Sequence, residues 1–557
     1  MDAKVLLQHH LRLKAERSNF DWRWEQMAPF LSPTRAGITS QRSPGEKQST
    51  GVFDSTAMMA AEMHANFLAG YIMNPGQRWL SYGMQPPLGR RLDQVEEWLE
   101  ESRDRTLSRA DSSNFYGEGA ETLVDDVGFG TGCLVIEERP QPVHETIKGF
   151  RGFYCQAEKT GRFTVAEGAD GLVDTLFRER KLSARVCRDR GWTLTEPMKK
   201  VLLAHKGDEL FDIVHAIVPR PKGERSGGAK GMPWASVWID VKTKEALHEG
   251  GYRRFPAVVP RYQRTAGEVY GRGRGDLAWP DIWTLNMAKS MGLEDFALKI
   301  RPPILMKHDS VIGTIKLVPA GPTSVNTRGQ RIQDVIMPYQ TGSSPEVTAL
   351  KEEELRKTIR QIFFIDQIIQ LMEVNKSEMT AFEFAKKLEL LFRQMGPIYG
   401  RLHWEFLYQL VGLLFMLQYD AHDFSPPPPQ VQLTNGEIKI GFHNPIALAQ
   451  KAGDAESLSL AYADLAGMAQ VDPAIVASAG RRLDADRAVS GVFAVRGVPA
   501  TWTKSDEEVA ELEAQEAQAQ AQAAQLQMME QVAGSAGKAA PMLKALTPEN
   551  QGAGAPA

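Results

Sequence analysis

The chain has 557 residues, 43% hydrophobic and 24% charged. That is room for about two to four domains with the balance of an ordinary soluble globular protein. A formal net charge of −4 argues against a conventional high-affinity nucleic-acid binder with a basic face, but not against a protein that lets a polyanion pass without gripping it. Cys133, Cys155 and Cys187 form neither a CxxC nor a metal-ligand spacing, so they read as buried thiols in a reducing compartment.

The N-terminus lacks the basic-then-apolar order of a signal peptide. The most apolar run, Phe406–Met416, is shorter than the ~20 residues of a bilayer span. The chain is expected to be made and folded in the cytoplasm, with no membrane partner.

Val5–Pro29 reads as an amphipathic helix ending in Trp22 and Trp24, followed by an exposed Ser/Thr/Gly loop to Gly51. Asp54 is placed as the cap of a uniformly apolar helix that Asn74-Pro75-Gly76 ends, buried between elements or subunits. Helices are predicted over Leu92–Ser112, with Trp98 and Leu99 on the apolar side, and over Gly119–Val127. "GTGCLVIEERP" (Gly130–Pro140) then starts β structure, with strands near Gly152–Cys155, Phe163–Ala166 and Val173–Glu179. A short helix at Thr195–Ala204 precedes strands at Leu210–Val218, Ala235–Val241 and Phe255–Tyr262. This half reads as α+β with antiparallel pairing.

The second half is predominantly helical. "GRGRG" (Gly271–Gly275) reads as flexible lead-in, Asp276 as a cap and Pro280 as a first helical position. Ile282, Leu285, Leu293, Phe296 and Ile300 keep the 3.6-residue period of one buried face, and Pro302-Pro303 ends the helix. A second long helix is predicted over Pro345–Met372. Its first half carries Glu352/Arg356 and Glu353/Lys357 pairs as a solvated surface, and its second half, "IFFIDQIIQLM", must be packed all round. A third opens with a capping box at Thr380–Glu383, breaks at Gly396-Pro397 and resumes to about Tyr419. Beyond it come a stiff Pro-rich spacer (424–430), a hairpin signal with an Asn435-Gly436 turn, short Ala-rich helices to Arg496, a long Ala/Gln/Glu helix over Lys504–Gln531 and a tail of disordered composition.

No coherent catalytic site emerges. "GFGTG" (Gly128–Gly132) and "GRGRG" lack the strand–GxGxxG–helix context and read as turns or hinges. His403, beside Trp404, reads as a packing histidine. Asp125-Asp126 is the nearest approach to a nuclease-like carboxylate pair, but adjacent helical positions diverge and no third acid or lysine is suitably spaced. No metal ligand set and no cofactor is called. From Lys299 to Ser343 six basic residues, Lys299, Arg301, Lys307, Lys316, Arg328 and Arg331, face two acids, Asp309 and Asp334. In a ring of copies each becomes a ring of charge; in a monomer the loop is only solvated. The turn Glu373–Met379 (with Asn375, Lys376 and Ser377) is a surface turn in a monomer and a constriction if the helices line a channel.

The order of these parts resembles the portal, or head–tail connector, proteins of short-tailed bacteriophages. The resemblance covers roughly residues 1–500 and rests on "FDSTAMMAAEMHANFLAGYIMNPGQRWLSY", "YGRGRGDLAWPDIWTLN" and "TAFEFAKKLELLFRQMGPIYGRLHWEFLYQLV". It implies a non-enzymatic dodecameric ring at one capsid vertex, made in host cytoplasm and kept in the virion. The implied parts are a wing (1–275), stem helices (276–300 and 345–372), a clip (301–344), a tunnel loop (373–379) with Asn375, Lys376 and Ser377, a broken helix returning to the wing (380–430), a crown (431–503) and a helical extension with tail (504–557). It further implies passage of double-stranded DNA, docking of the terminase large subunit and then a tail adaptor at Arg301, Lys307, Lys316, Arg328 and Arg331, and nucleation with major capsid and scaffolding proteins. A Mg²⁺-dependent nucleic-acid enzyme using Asp125 and Asp126, and a non-viral helical scaffold, are the alternatives.

Overall fold

A computed structural model of the chain describes residues 2–40, 51–84, 93–140, 149–300, 345–372 and 393–428 except 226, together with strands at 304–306, 336–338 and 438–442 and a few single positions. Contacts divide the chain into two units, Met1–Pro87 with Trp98–Gly453, and Leu88–Glu97 with Asp454–Ala557. The elements below belong to the first, apart from the opening residues of α3.

Helix α1 (Ala3–Leu31) is capped by the Asp2 carboxylate, which accepts from the Lys4 amide at 2.9 Å. Its inner stripe, Leu6, Leu7 and Leu13, packs on Phe177, Val214, Ala216 and Val237 of a five-stranded antiparallel sheet. That sheet runs β4 (Phe163–Glu167), β5 (Val173–Ser183), β6 (Leu210–Pro219), β7 (Trp234–Asp240), β8 (Ala246–Tyr252) in sequence order. Each strand pairs antiparallel with the next; short turns join β4 to β5 and β7 to β8, while α5 and α6 lie between β5 and β6. A second cluster is built on Cys187 of α5 (Ala184–Asp189), Met198 of α6 (Glu196–Leu203), Phe211, Ile213 and Leu247. Alternation along β6, with Phe211 and Ile213 in one cluster and Val214 and Ala216 in the other, makes this sheet the middle layer.

A second sheet, β3 (Phe153–Ala157), β2 (Leu134–Glu138), β9 (Ala257–Val258), is tied to the first by Arg178 of β5. Its guanidinium donates to His215 (2.8 Å), Gln156 (3.0 Å), Glu158 (3.1 Å) and Glu137 (3.2 Å). A buried cation so fully partnered is tolerated, and costly to disturb. Helix α2 (Thr56–Ile72) packs on α4 (Phe115–Phe129). Helix α3 is Asp93–Asp111. Strand β1 (Leu80–Met84) pairs antiparallel with β12 (Ile438–Phe442).

The α+β class fits this element content. Several details depart from expectation. Helix α4 starts at Phe115, four residues earlier than its pattern suggests, because Phe115 is fully buried. Ser55 is the cap residue of α2, yet the side chain that bonds its first amide is that of Asp54, which accepts from Thr56 at 2.9 Å. The run 255–262 yields only the two-residue β9, and β1, β8 and α5 had no clear sequence signal.

Candidate functional site

The element on which a function can be built is the pair of long helices that follows the sheets. Helix α7 spans Arg274–Ile300 and α8 spans Pro345–Ile362; the two pack together. The chain leaves α7 and re-enters α8 through β10 (Ile304–Met306) and β11 (Ile336–Pro338), which pair antiparallel.

The start of α7 is bolted to the body. Of the two glycine-rich stretches read as turns or hinges, Gly271–Gly275 is a close-packed approach rather than a flexible lead-in. Gly130 ends α4 in the left-handed region at φ 87°, which favours glycine. Gly273 sits so close that a methyl group on it would lie 2.6 Å from the Gly128 carbonyl oxygen. The glycines therefore serve close backbone approach rather than mobility. The Gly271 amide donates to the Thr131 hydroxyl at 2.8 Å. Asp276 accepts from the Gly273 amide (3.1 Å) and pairs with Arg23 of α1 (2.9 Å). The helix begins at Arg274, so Pro280 lies inside it rather than at its first position.

Helix α8 is held by charges. Lys289 of α7 meets Glu352 at 3.0 Å, and Arg356 reaches both Glu352 (3.1 Å) and Asp54 (3.0 Å). Glu352 is thus buried at the junction, not part of a solvated surface; the exposed half of the pattern is Glu353, paired with Arg356 and Arg360. The Asn286 side chain of α7 accepts from the Phe53 amide (2.8 Å) and donates to the Gly51 carbonyl (3.0 Å).

The second helix is not continuous to Met372. It stops at Ile362, and α9 (Ile365–Met372) starts after a turn in which Phe364 has φ 58°. A bulky side chain in the left-handed region is strained, and its surroundings hold it there. The Arg274 guanidinium lies 4.4 Å from the Phe364 ring centroid, and His64 packs edge-on at 5.9 Å. His64 is fully buried. Burial, reinforced by the Arg274 charge, lowers its pKa to about 3, so it is neutral at pH 7. As expected of the apolar run, Phe363, Ile365, Ile368 and Leu371 are buried.

The outer side of α7 behaves differently. Ile282 and Leu285 are buried, but Leu293, Phe296 and Ile300, assigned to the same buried face by their spacing, are not covered by this chain. Exposure runs from 38% at Met287 through 50% at Trp283 to 61% at Phe296 and Ile300. Met291, at 60%, completes a Trp283–Met287–Met291 row at i,i+4 spacing.

Of the residues singled out in the sequence, Arg331 is exposed and Lys299 pairs with Asp295 at 2.8 Å. Arg301, Lys307, Lys316, Arg328, Asn375, Lys376 and Ser377 lie outside the described residues, as does nearly all of 431–503 and 504–557. Asp125 and Asp126 are both buried. Arg35 donates to Asp125 at 2.7 Å. Burial, then the nearby Glu405 charge, holds the Asp126 carboxyl well above the usual carboxylate range. A carboxyl closed off from solvent has no access to a nucleic acid. Among the described residues no group of His, Cys, Asp and Glu has metal-holding geometry, and no helix is long and apolar enough to cross a membrane. The three cysteines are buried and free.

Fold and site together define an α+β chain carrying a paired-helix element anchored on its sheets. The family described as bacteriophage head to tail connecting protein matches residues 3–503, and the chain belongs to that family. It is 24% identical over 545 residues to the probable portal protein of Bordetella phage BPP-1, covering 96% of this chain and 95% of that one. It is 25% identical over 515 residues to the portal protein of Salmonella phage epsilon15, covering 90% and 89%. A chain from the virion of a native gene transfer agent particle aligns over 82% of this chain and 96% of its own length, at 12% identity and a TM-score of 0.33.

Proposed function

We propose that this chain is a phage portal protein: the subunit of a ring, dodecameric by family resemblance, through which double-stranded DNA enters and leaves the capsid at one vertex. The observation that carries the reading is the near full-length match to two proteins named as portal proteins. The uncovered apolar row on α7 is its physical support. Seven exposed positions from Trp283 to Ile300, all large and apolar, exceed what a monomer tolerates on one helix. Copies standing side by side around an axis would cover them through heterologous contacts that close into a ring.

In this reading residues 1–275 are the wing, 276–300 and 345–372 the stem, 301–344 the clip, 373–379 the tunnel loop, 380–430 the helix returning to the wing, 431–503 the crown and 504–557 an extension. Arg301, Lys307, Lys316, Arg328 and Arg331 form a basic collar for the terminase large subunit and later a tail adaptor. Asn375, Lys376 and Ser377 face the DNA. A net charge of −4 suits the wall of a conduit, since each phosphate neutralised would add affinity and slow passage. The ring also nucleates the procapsid with capsid and scaffolding proteins.

Infection with a Lys376→Ala phage tests the channel. Particles should assemble with intact rings but retain packaged DNA less well. Normal DNA yield would remove the case for that loop, and gold-labelled antibody to this chain found at more than one vertex per head would defeat the reading as a whole.

A further inference from the structure

Helix α10 (Gly396–Arg401), a seven-residue π-helical turn (Leu402–Tyr408) and α11 (Gln409–Asp420) follow one another without a break. A π turn holds more residues per turn than an α turn and persists where something outside the helix secures it. On its outer side Trp404 and Tyr408 stack on each other, 5.2 Å apart and exposed. On its inner side Glu405 is buried and meets Arg261.

Arg261 is 2% exposed and uses all five of its N–H donors. Nε donates to one Glu405 oxygen at 2.8 Å and Nη2 to the other at 3.0 Å. Nη2 also donates to the Gly171 carbonyl at 2.9 Å, and Nη1 to the Val269 carbonyl at 3.2 Å and to Glu167. These five acceptor atoms, from four residues, bind the end of β4, the β4–β5 turn, the approach to α7 and the middle of the π turn into one node. Asp126 stands nearby and is buried, but it does not compete with Glu405 for Arg261, whose donors all go elsewhere. The forked, bidentate geometry is one that lysine cannot reproduce.

We infer that Arg261 is a positioning residue for the chain segment leading into this helix: by seating Glu405 it keeps the extra residue in the turn 402–408 and so fixes the rotation of α10 about the helix axis. Relaxing the π turn to α geometry would turn α10 by about 100° and shift it by about 1.5 Å along the axis. The inference about Arg261 stands on the fold alone; its consequence rests on the portal reading, in which the segment before α10 carries the tunnel loop. Arg261 then sets, from within the wing, where tunnel side chains aim.

The test uses two variants of the full-length protein. Arg261→Lys keeps the charge and loses the fork; Glu405→Gln is isosteric and keeps the fold if the arginine variant does not. In both, hydrogen exchange of amides 402–409 should quicken about tenfold or more while β6 amides stay unchanged, and cryo-electron microscopy should show α geometry through 402–408 with α10 rotated. An unchanged π turn and unrotated α10 in the variant that folds would overturn the inference. DNA retention in particles separates the two levels. A rotated α10 with normal retention sinks the tunnel assignment but leaves the positioning role of Arg261 intact.

Discussion

The sheets and α7 solve the same problem in opposite ways. In the body, charged groups are buried, and the two central arginines are partnered within one chain: Arg178 by His215, Gln156, Glu158 and Glu137, and Arg261 by Glu405, Glu167 and two carbonyls. On α7 large apolar groups stay in water although the helix itself is firmly anchored. A region whose central arginines are partnered within one chain needs no other molecule to balance them. A rigid helix whose apolar row is uncovered is finished only by another surface. The body should therefore fold as a monomer's property and the outer face of α7 should govern assembly.

The comparison is broken most severely by a double substitution, Met291→Asp with Phe296→Asp. Each burial is worth about 1.5–3 kcal/mol, and a buried unpaired carboxylate adds its own penalty. Ring formation should weaken by a factor of at least about a thousand in sedimentation velocity, with the circular dichroism of the body unchanged. Assembly at the wild-type concentration would mean that this face is not an interface.

Arg178→Ala is the reciprocal case. It leaves Glu158 buried beside Arg180 alone and His215 without its donor, at a cost of about 3–5 kcal/mol. Chemical denaturation should show this loss at concentrations where no ring forms. A loss visible only in assembled protein would contradict the picture of a self-contained body.

A subtler probe lies at the joint between the two regions. The His64 pKa is lowered from 6.5 to about 3, so below pH 6.5 the unfolded chain takes up a proton that the folded chain refuses. Its contribution to stability is complete above pH 6.5 and declines as pH falls toward 3, reaching a loss of about 3 kcal/mol at pH 4. His64→Phe should flatten the pH 7-to-4 difference in unfolding free energy by about that amount. An identical slope would mean that the pocket opens to water before His64 titrates.

Sequence legibility followed the range of the forces involved. Helices α1, α3 and α6 and strands β4–β7 are readable because period and caps act locally. Strand β8, "ALHEGGY", carries two glycines and weak strand propensity; it exists because β7 offers it a partner. Strand β1 pairs with β12, far along the chain, which no local pattern announces. The break at Phe363-Phe364 has neither glycine nor proline to mark it, and the π turn at 402–408 depends on an arginine distant in sequence. The glycines of 128–132 and 271–275 read as turns or hinges, the second as flexible lead-in, because composition cannot distinguish freedom from close contact. Leu293, Phe296 and Ile300 show that periodicity identifies residues that avoid water without saying which chain covers them.

The most direct test of the central claim is the mass and shape of the purified full-length protein at physiological salt, by native mass spectrometry with electron microscopy. Closed rings with a central opening and α7 at the subunit boundary are predicted. A stable monomer, or an assembly in which Trp283, Met291 and Phe296 still face solvent, would contradict the account.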